Sequence, residues 1–431
     1  MPYRLSTEDA GFEAAFTDLL GQKRESSVDV NQAVTAIIDD VRVRGDIAVA
    51  ELTAKYDRVD VTPQTLAISR AEIDAALEAV STTEMEALKE AAVRIDDYHR
   101  RQIPQGESHI DAQGVETGYR WTAVQSVGLY VPGGKAAYPS SVLMNAIPAR
   151  VAGVERIVMV VPTPDGVLHP LVLAAAHVAG IDEIYRIGGA QAIAALAYGT
   201  DSIIPVDKIV GPGNAYVAAA KRQVFGIVGI DMIAGPSEIL VVADNQNDPK
   251  WIAADLLSQA EHDEDAQAIL ITDDAAYAEV VEAALQETMA GLNRSEIASA
   301  SWRDYGAVIV TRDLAEAASL VDRVAPEHLE LAVEDADGLS AMINNAGAIF
   351  LGRYTPEAIG DYVAGPSHVL PTSRSARFSS GLSVLDFMKR TSMIRCDAES
   401  IKRIGAAAVT LAEAEGFGAH ALSVAHRLGR N

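Results

Sequence analysis

The chain has 431 residues, of which 49% are apolar, so it can bury a large core and should divide into two or more domains. Lys and Arg total 35 against 60 Asp and Glu, and the net charge of −25 disfavours binding to nucleic acid or anionic lipid. The longest uncharged stretch, residues 166–181, is too short and polar for a membrane helix, and the N-terminus lacks a secretory signal pattern. We therefore expect a cytoplasmic protein. The single cysteine, Cys396, excludes an intrachain disulfide and a zinc site made of several thiolates.

The first part of the chain, to about Ala92, has the periodicity of helices. Phe12, Phe16 and Leu19 form a stripe at helical spacing, and a second stripe begins at Val30 and ends before Gly45. Such an N-terminal segment often packs on another domain or subunit, although ordinary core packing is the more common role of any one helix.

Short apolar runs alternate with Ala-rich helical stretches from Val127 onward. This alternation predicts βαβ units, parallel sheets and two α/β domains. Beyond residue 401 the pattern is helical, with a break at Gly416 and Gly418, and this segment follows the strands rather than joining them. The runs are residues 157–161, 184–187, 239–242, 268–271, 307–310 and 348–351.

Four polar side chains are candidate metal ligands. Gln259 and His262 lie three residues apart in a helical pattern and therefore share a face, while Asp361 and His420 could complete a site with two imidazoles and two oxygens. That mixture suits zinc or another borderline divalent ion. Taken singly, each residue has a more common alternative role as part of a solvated surface or a helix end.

Glu327 and His328 stand side by side where a helical pattern gives way to an apolar run. Because adjacent side chains point in different directions, the pair could handle two different protons. A loop pair without a role is an equally good interpretation of this motif alone.

Three glycine-rich turns follow apolar runs and precede helical stretches, the position at which main-chain N–H groups receive phosphate. None has the G-x-G-x-x-G spacing, so the pattern gives only modest support for a dinucleotide. The turns are Gly133-Gly134-Lys135, Gly188-Gly189-Ala-Gln191 and Gly211-Pro-Gly-Asn214.

Together these segments resemble the histidinol dehydrogenase family over essentially the whole chain. The motifs occur in the family's order and include Gln259, His262 and the Glu327-His328 pair. They are Val127-Gly-Leu-Tyr-Val-Pro-Gly-Gly134, Gly211-Pro-Gly-Asn-Ala215, Ala234-Gly-Pro-Ser-Glu238, Ser258-Gln-Ala-Glu-His262, Pro326-Glu-His-Leu329, Gly365-Pro-Ser-His-Val-Leu-Pro371 and Glu413-Ala-Glu-Gly416.

The resemblance implies two Rossmann-like domains with mostly parallel sheets, a helical N-terminal arm and a helical C-terminal tail. The arm would comprise residues 1–25 and the tail residues 382–431, which would dock on the partner subunit of an intertwined homodimer. Residues 129–236 would bind NAD. The metal- and substrate-binding domain would be discontinuous, with residues 26–128 and 237–381, and could exchange part of 322–352 with its neighbour.

The resemblance also implies roles for individual residues. Zinc would be bound by Gln259, His262 and Asp361 together with His420 of the other subunit, with one ion in each site. The remaining roles concern contacts to the two organic ligands. Besides the zinc ligands, Ser237, His328, His368 and Glu415 would contact substrate, and Tyr130, Gln191 and Asn214 would contact NAD.

The family oxidises L-histidinol to L-histidine through L-histidinaldehyde, in two hydride transfers to NAD at the end of histidine biosynthesis. With a pKa near 6.5, a neutral imidazole such as His328 suits a base that takes the hydroxyl proton. Glu327 would then activate water to hydrate the aldehyde. Cys396 lies outside every matched motif, so water rather than a thiol is the expected nucleophile.

Two other functions are compatible with the sequence. A related zinc- and NAD-linked dehydrogenase could act on another polar alcohol, because a fold does not determine its substrate. A catalytically silent metabolite-binding protein could share the scaffold, although every proposed ligand and base is present here.

Overall fold

The computed structural model describes residues 2–21, 28–133, 138–233 and 235–430. Residues 134–137 of the first glycine-rich turn and Ala234 of a predicted motif lie outside these ranges. Within them, no helix combines the length and apolar character needed to cross a bilayer.

The strands form two parallel sheets and one small antiparallel sheet. In chain order the strands are β1 (Tyr3–Ser6), β2 (Glu107–Ile110), β3 (Glu116–Ala123), β4 (Ser126–Tyr130), β5 (Arg156–Val160), β6 (Glu183–Tyr185), β7 (Lys208–Val210), β8 (Gly229–Ile230), β9 (Glu238–Ala243), β10 (Gln267–Thr272), β11 (Ala307–Val310), β12 (His328–Ala332), β13 (Ala348–Leu351) and β14 (Met388–Arg395).

The helices cover both parallel sheets and make up most of the C-terminal tail. In chain order they are α1 (Phe12–Gly21), α2 (Val28–Arg44), α3 (Asp46–Asp57), α4 (Pro63–Leu66), α5 (Arg70–Ala79), α6 (Thr82–Arg100), α7 (Pro139–Ala152), α8 (Pro170–Ala179), α9 (Gly189–Tyr198), α10 (Ala215–Val224), α11 (Pro249–Ala260), α12 (Ala275–Met289), α13 (Ser295–Tyr305), α14 (Leu314–Val324), α15 (Ala336–Ser340), α16 (Glu357–Tyr362), α17 (Ala398–Ala414) and α18 (Gly418–Arg427).

The five-stranded sheet has the order β6-β5-β4-β7-β8, and every pair in it is parallel. The chain starts at the central strand β4, builds outward through β5 and β6, and then crosses back to β7. This reversal leaves a crevice between the carboxyl ends of β4 and β7, the position at which doubly wound sheets bind ligands.

The six-stranded sheet repeats this winding in the order β1-β11-β10-β9-β12-β13, again with every pair parallel. Here the reversal falls between β9 and β12, both of which are completely buried. The structure thus confirms the predicted α/β class with mostly parallel sheets.

The N-terminal segment packs on the six-stranded sheet of its own chain. Strand β1 pairs with β11, and the predicted apolar face of α1 is confirmed because Phe12, Phe16 and Leu19 are buried beside that sheet. The sequence pattern predicted the helix but not the preceding strand.

Helices α2 to α6 pack on the other half of the molecule. Val34 and Ile38 of α2 share an apolar cluster with Ile193 of α9, and Ile95 of α6 shares one with Leu143 of α7. These contacts place residues 28–100 beside the five-stranded sheet, whereas the sequence grouped residues 26–128 with the metal-binding domain. The domain boundaries themselves stay predictions.

The C-terminal tail contains a strand as well as the two expected helices. Strand β14 pairs antiparallel with β3, which pairs with β2 on its other edge. Helices α17 and α18 agree with the predicted helical pattern and its break. The sequence did not predict β14, which lies at the solvent-exposed edge of this small sheet.

Candidate active site

The Glu327-His328 pair lies at the amino end of the buried strand β12. His328 is the first residue of that strand and pairs with Ile239, which follows Glu238 at the start of β9. Glu327 is 7% exposed and His328 is 4% exposed. Both residues are buried because β9 and β12 are interior strands of the six-stranded sheet. The expected transition from helix to strand at this motif is therefore confirmed.

The hydrogen bonding of His328 defines its tautomer. Nδ1 lies 3.0 Å from the main-chain oxygen of Glu238. A carbonyl oxygen only accepts, so Nδ1 carries the proton and Nε2 has a free lone pair. Burial lowers the pKa of His328, which keeps the ring neutral. Nε2 is itself buried and has no hydrogen-bond partner among the described residues.

The Glu327 carboxylate is also held by Glu238. The main-chain N–H of Glu238 donates to Oε2 at 2.9 Å. Burial, followed by the negative charge of the Glu238 side chain, raises the pKa of Glu327 well above its ordinary value. A raised pKa makes the Glu327 carboxylate a stronger base, which suits a role in general acid-base chemistry.

His328, Glu357 and Asp361 form a potential cation site. One ligand atom from each lies within 4.8 Å of the others. His328 Nε2 is 3.8 Å from Oε1 of Glu357 and 3.8 Å from Oδ1 of Asp361. Burial and then the Glu357 charge raise the pKa of Asp361. Clustered buried carboxylates are costly unless a cation or protons neutralise them, so this cluster suits a divalent ion.

Gln259 points a free oxygen into the same buried region. Its side chain is 1% exposed, its Nε2 donates to Oε1 of Glu357 at 2.5 Å, and its Oε1 has no partner among the described residues. A buried amide oxygen normally has a partner. The residues present therefore fit a metal ion that Gln259 and Asp361 would help to hold.

The other two predicted ligands occupy different positions. His262 is exposed just beyond the end of α11. His420 is exposed on α18, with its ring 5.3 Å from that of Phe417. Neither belongs to the 4.8 Å group found among the described residues.

His368 connects the cluster with the five-stranded sheet. Its Nδ1 is 3.7 Å from Oδ1 of Asp361, and its Nε2 is 3.4 Å from Oγ of Ser141 in α7. Burial lowers the pKa of His368 to about 4. The cluster thus lies where the amino ends of β9 and β12 approach the segment that follows β4.

The two remaining predicted substrate contacts differ in exposure. Ser237 is half-buried immediately before β9, where its main-chain oxygen accepts from the N–H of Gln267 at 2.9 Å. Glu415 is exposed at the C-terminal cap of α17. Ser237 therefore adjoins Glu238 of the buried site, whereas Glu415 lies on the surface of the tail.

The three predicted NAD contacts follow strands of the five-stranded sheet. Tyr130 ends β4, and its hydroxyl oxygen accepts from the N–H of Gly189 at 3.1 Å. Gln191 is buried in the first turn of α9, which follows β6. Asn214 follows β7 and caps α10 by accepting from the N–H groups of Tyr216 and Val217. The carboxyl ends of parallel strands meet at one edge, so these residues surround the crevice beside β4.

A buried ion pair holds the turn between β7 and α10. Lys221 and Asp231 have side chains 3% and 1% exposed and form a salt bridge. Lys221 Nζ donates to the main-chain oxygen of Gly211 at 2.9 Å. The N–H of Gly211 donates to Oδ2 of Asp231 at 2.8 Å. Gly211 has φ +110°, and a Cβ there would lie 2.1 Å from the oxygen of Tyr130. Only glycine suits this close approach.

Sequence reasoning missed Glu357 and the Lys221–Asp231 pair. Glu357 stands four residues before Asp361, so a helical spacing search around each candidate ligand would have found it. No comparable signal marks Lys221 and Asp231, whose pairing depends on the sheet topology.

Comparison with known proteins identifies the family. The family model described as histidinol dehydrogenase matches residues 20–428. A histidinol dehydrogenase from Rhodospirillum rubrum is 65% identical over 431 residues, covering 100% of this chain and 99% of that protein. One from Cereibacter sphaeroides is 64% identical over 430 residues, covering 100% and 99%.

A solved structure agrees with the sequence relatives. The crystal structure of histidinol dehydrogenase from Elizabethkingia anophelis superposes with a TM-score of 0.94 at 35% identity, covering 99% of this chain and 98% of that one. Fold, motif order and full-length similarity therefore lead to one conclusion. The chain belongs to the histidinol dehydrogenase family.

Proposed function

We propose that the protein is an NAD-dependent enzyme that oxidises L-histidinol to L-histidine through L-histidinaldehyde, a four-electron reaction with zinc as cofactor. Family membership supports the substrate. The main structural support is His328, whose neutral ring directs Nε2 toward the carboxylates of Glu357 and Asp361 without a hydrogen bond to any residue that the structure describes. A base in this state and position can take a proton as hydride leaves the neighbouring carbon.

Gln259, His262 and Asp361 of one protomer and His420 of a second copy would hold the zinc ion. When bound, zinc supplies a fixed anchor for the imidazole and amino nitrogens of histidinol, and this orients the carbinol carbon. Ser237, His328, His368 and Glu415 of the second copy would complete the substrate contacts.

Tyr130, Gln191 and Asn214 would bind NAD at the crevice beside β4. The N-termini of α9 and α10, which begin after β6 and β7, lie at this edge, and the positive ends of their helix dipoles suit the negative charge of a pyrophosphate. The nicotinamide would then reach the cluster across the Ser141–His368 contact.

In the first half-reaction, His328 Nε2 takes the hydroxyl proton while the carbinol C–H passes to NAD as hydride, leaving the aldehyde and NADH. Glu327 then takes a proton from water as the water oxygen bonds to the aldehyde carbon, and His328 returns its proton to the aldehyde oxygen, which gives the hydrate and a neutral imidazole again. The hydrate loses a second hydride to a second NAD while His328 accepts a hydroxyl proton, which leaves the carboxyl group of the product.

An intertwined homodimer would explain the position of the tail. His420 and Glu415 are exposed on the described surface of one chain, and Phe417 between them is 54% exposed. An exposed aromatic side chain flanked by two site residues suits burial against a second copy.

The test is an NAD reduction assay with L-histidinol before and after chelator treatment. We expect two NADH for each histidinol consumed, loss of turnover on chelation and recovery with Zn²⁺. Preferred oxidation of simple diols would indicate a related alcohol dehydrogenase, and tight histidinol binding without NADH would indicate a silent binding protein.

Variants at the catalytic pair test the mechanism. Replacing His328 or Glu327 by Ala should lower turnover about 10²–10⁴-fold, the usual contribution of general acid-base catalysis, while the fold and bound metal persist. Near-native turnover in both variants would exclude the proposed proton transfers.

A further inference from the structure

Glu357 contacts a predicted metal ligand without being one of the predicted ligands. It is the first residue of α16 and only 1% exposed, and it faces the end of α11. Its Oε2 accepts from Oγ of Ser258 at 2.7 Å, and its Oε1 accepts from Nε2 of Gln259 at 2.5 Å. Both carboxylate oxygens of Glu357 thus bind neighbouring residues of α11.

These contacts determine which end of the Gln259 amide is free. A glutamine amide has a donating nitrogen and an accepting oxygen, and a carboxylate can only accept. If the amide were rotated by half a turn, its oxygen would face the carboxylate oxygen of Glu357 without a proton between them. Glu357 therefore selects the orientation in which the nitrogen of Gln259 is bound and Oε1 has no partner in the described part of the chain.

We propose that Glu357 is a positioning residue that holds the amide of Gln259 so that Oε1 is presented to the metal ion beside Asp361. This inference rests on the metal site in the proposed function. Hydrogen bonds that orient a ligand commonly contribute 10–100-fold to metal affinity. Glu357 acts here through Gln259 rather than by contact with the metal.

The proposal predicts how two variants at this position differ. Glu357→Ala removes the acceptor, so Zn²⁺ affinity should fall about 10–100-fold. Glu357→Gln loses the charge but keeps a carbonyl oxygen that can accept from the same N–H of Gln259, so affinity should stay within about twofold of the native protein. Metal affinity is measured on the full-length protein with Zn²⁺ in competition with a chromophoric chelator.

A double-mutant cycle with Gln259 separates positioning from the alternatives. In a Gln259→Ala background the amide is gone, so Glu357→Ala should change Zn²⁺ affinity by no more than about twofold. Glu357 would instead be a ligand, or act by charge or through Asp361, if its loss had the full effect in that background. Glu357 would also have one of these other roles if Glu357→Gln weakened Zn²⁺ binding as much as Glu357→Ala did. The proposal would also be overturned if neither Glu357→Ala nor Glu357→Gln changed Zn²⁺ affinity when Gln259 is present.

Failure of the underlying metal site has a different signature. If the native protein and every variant bound no Zn²⁺, the metal in the proposed function would be wrong, and the role of Glu357 with it. If the native protein bound Zn²⁺ and only the Glu357 predictions failed, the proposed function would stand.

Discussion

Replacement of Lys221 by Met is the most direct test of the buried ion pair beneath the glycine turn. Lys221 and Asp231 are nearly inaccessible to water, and between them they bind both main-chain polar groups of Gly211. A methionine fills a similar volume but leaves the Asp231 carboxylate without its counter-charge and the Gly211 oxygen without its donor. Water cannot replace either partner at this depth.

Removal of one partner of a buried pair costs about 3–5 kcal/mol, because the remaining charge stays desolvated. The lost hydrogen bond to Gly211, worth about 1 kcal/mol, is counted within that range. With a urea slope of about 3 kcal/mol per M, a loss of 3–5 kcal/mol lowers the unfolding midpoint by roughly 1–1.7 M. NAD affinity should fall as well, because Gly211 begins the turn that carries Asn214.

The assay is urea unfolding followed by circular dichroism, together with a titration of NADH binding. Lys221→Met/Asp231→Asn should recover most of the loss, since the amide oxygen of the introduced asparagine can still accept from the N–H of Gly211 and no unpaired charge remains. Arg70→Met is the control, because Arg70 and Asp74 are 62% and 53% exposed and such a pair contributes about 0.5 kcal/mol or less. A loss below about 1 kcal/mol for Lys221→Met would refute the argument from burial.

Three further changes have defined outcomes. Gly211→Ala should weaken NADH binding in a fluorescence titration, since its Cβ would meet the oxygen of Tyr130 at 2.1 Å; unchanged binding would contradict the assigned crevice. Hydrogen bonds, first from Arg312 and also from Thr7, lower the pKa of Glu316 from 4.5 to about 2. The stabilisation of the folded state by this lowered pKa is complete above pH 4.5 and disappears toward pH 2. Glu316→Gln should therefore make Tm fall less steeply between pH 4.5 and pH 2, and an unchanged dependence of Tm on pH would contradict this assignment. For the proposed homodimer, Phe417→Ser should shift the protein toward monomer in sedimentation at low concentration, and an unchanged association state would contradict an interface at the tail.

The buried parallel strands were the most predictable part of the fold. Runs such as residues 239–242 and 268–271 are apolar throughout because both faces of a parallel sheet are covered by helices. Strand β14 lacks this signal. Seven of its eight residues are exposed, so no apolar alternation distinguishes Met388–Arg395 from a loop.

The site was predictable only in part, for a related reason. Gln259, Glu327 and His328 occur in motifs by which the sequence resembles the family, Asp361 precedes another such motif, and the structure brings these residues together. Glu357 was not predicted because a glutamate at the start of a helix is usually exposed to solvent, and only tertiary packing buries this one. In the proposed function His420 would reach the metal from a second copy of the chain, and residue patterns within one chain carry no signal for such a contact.

The pairing of β3 with two neighbours affects how the protein tolerates truncation. Strand β14 covers one edge of β3 along its full length, from Glu116 to Ala123. A chain shortened before Met388 would lose that cover as well as the tail helices, and the edge of β3 that faces β14 would then offer the open main-chain N–H and C=O groups of alternate residues. Exposed strand edges of this length recruit other strands, so a truncated protein should aggregate rather than persist as a soluble monomer.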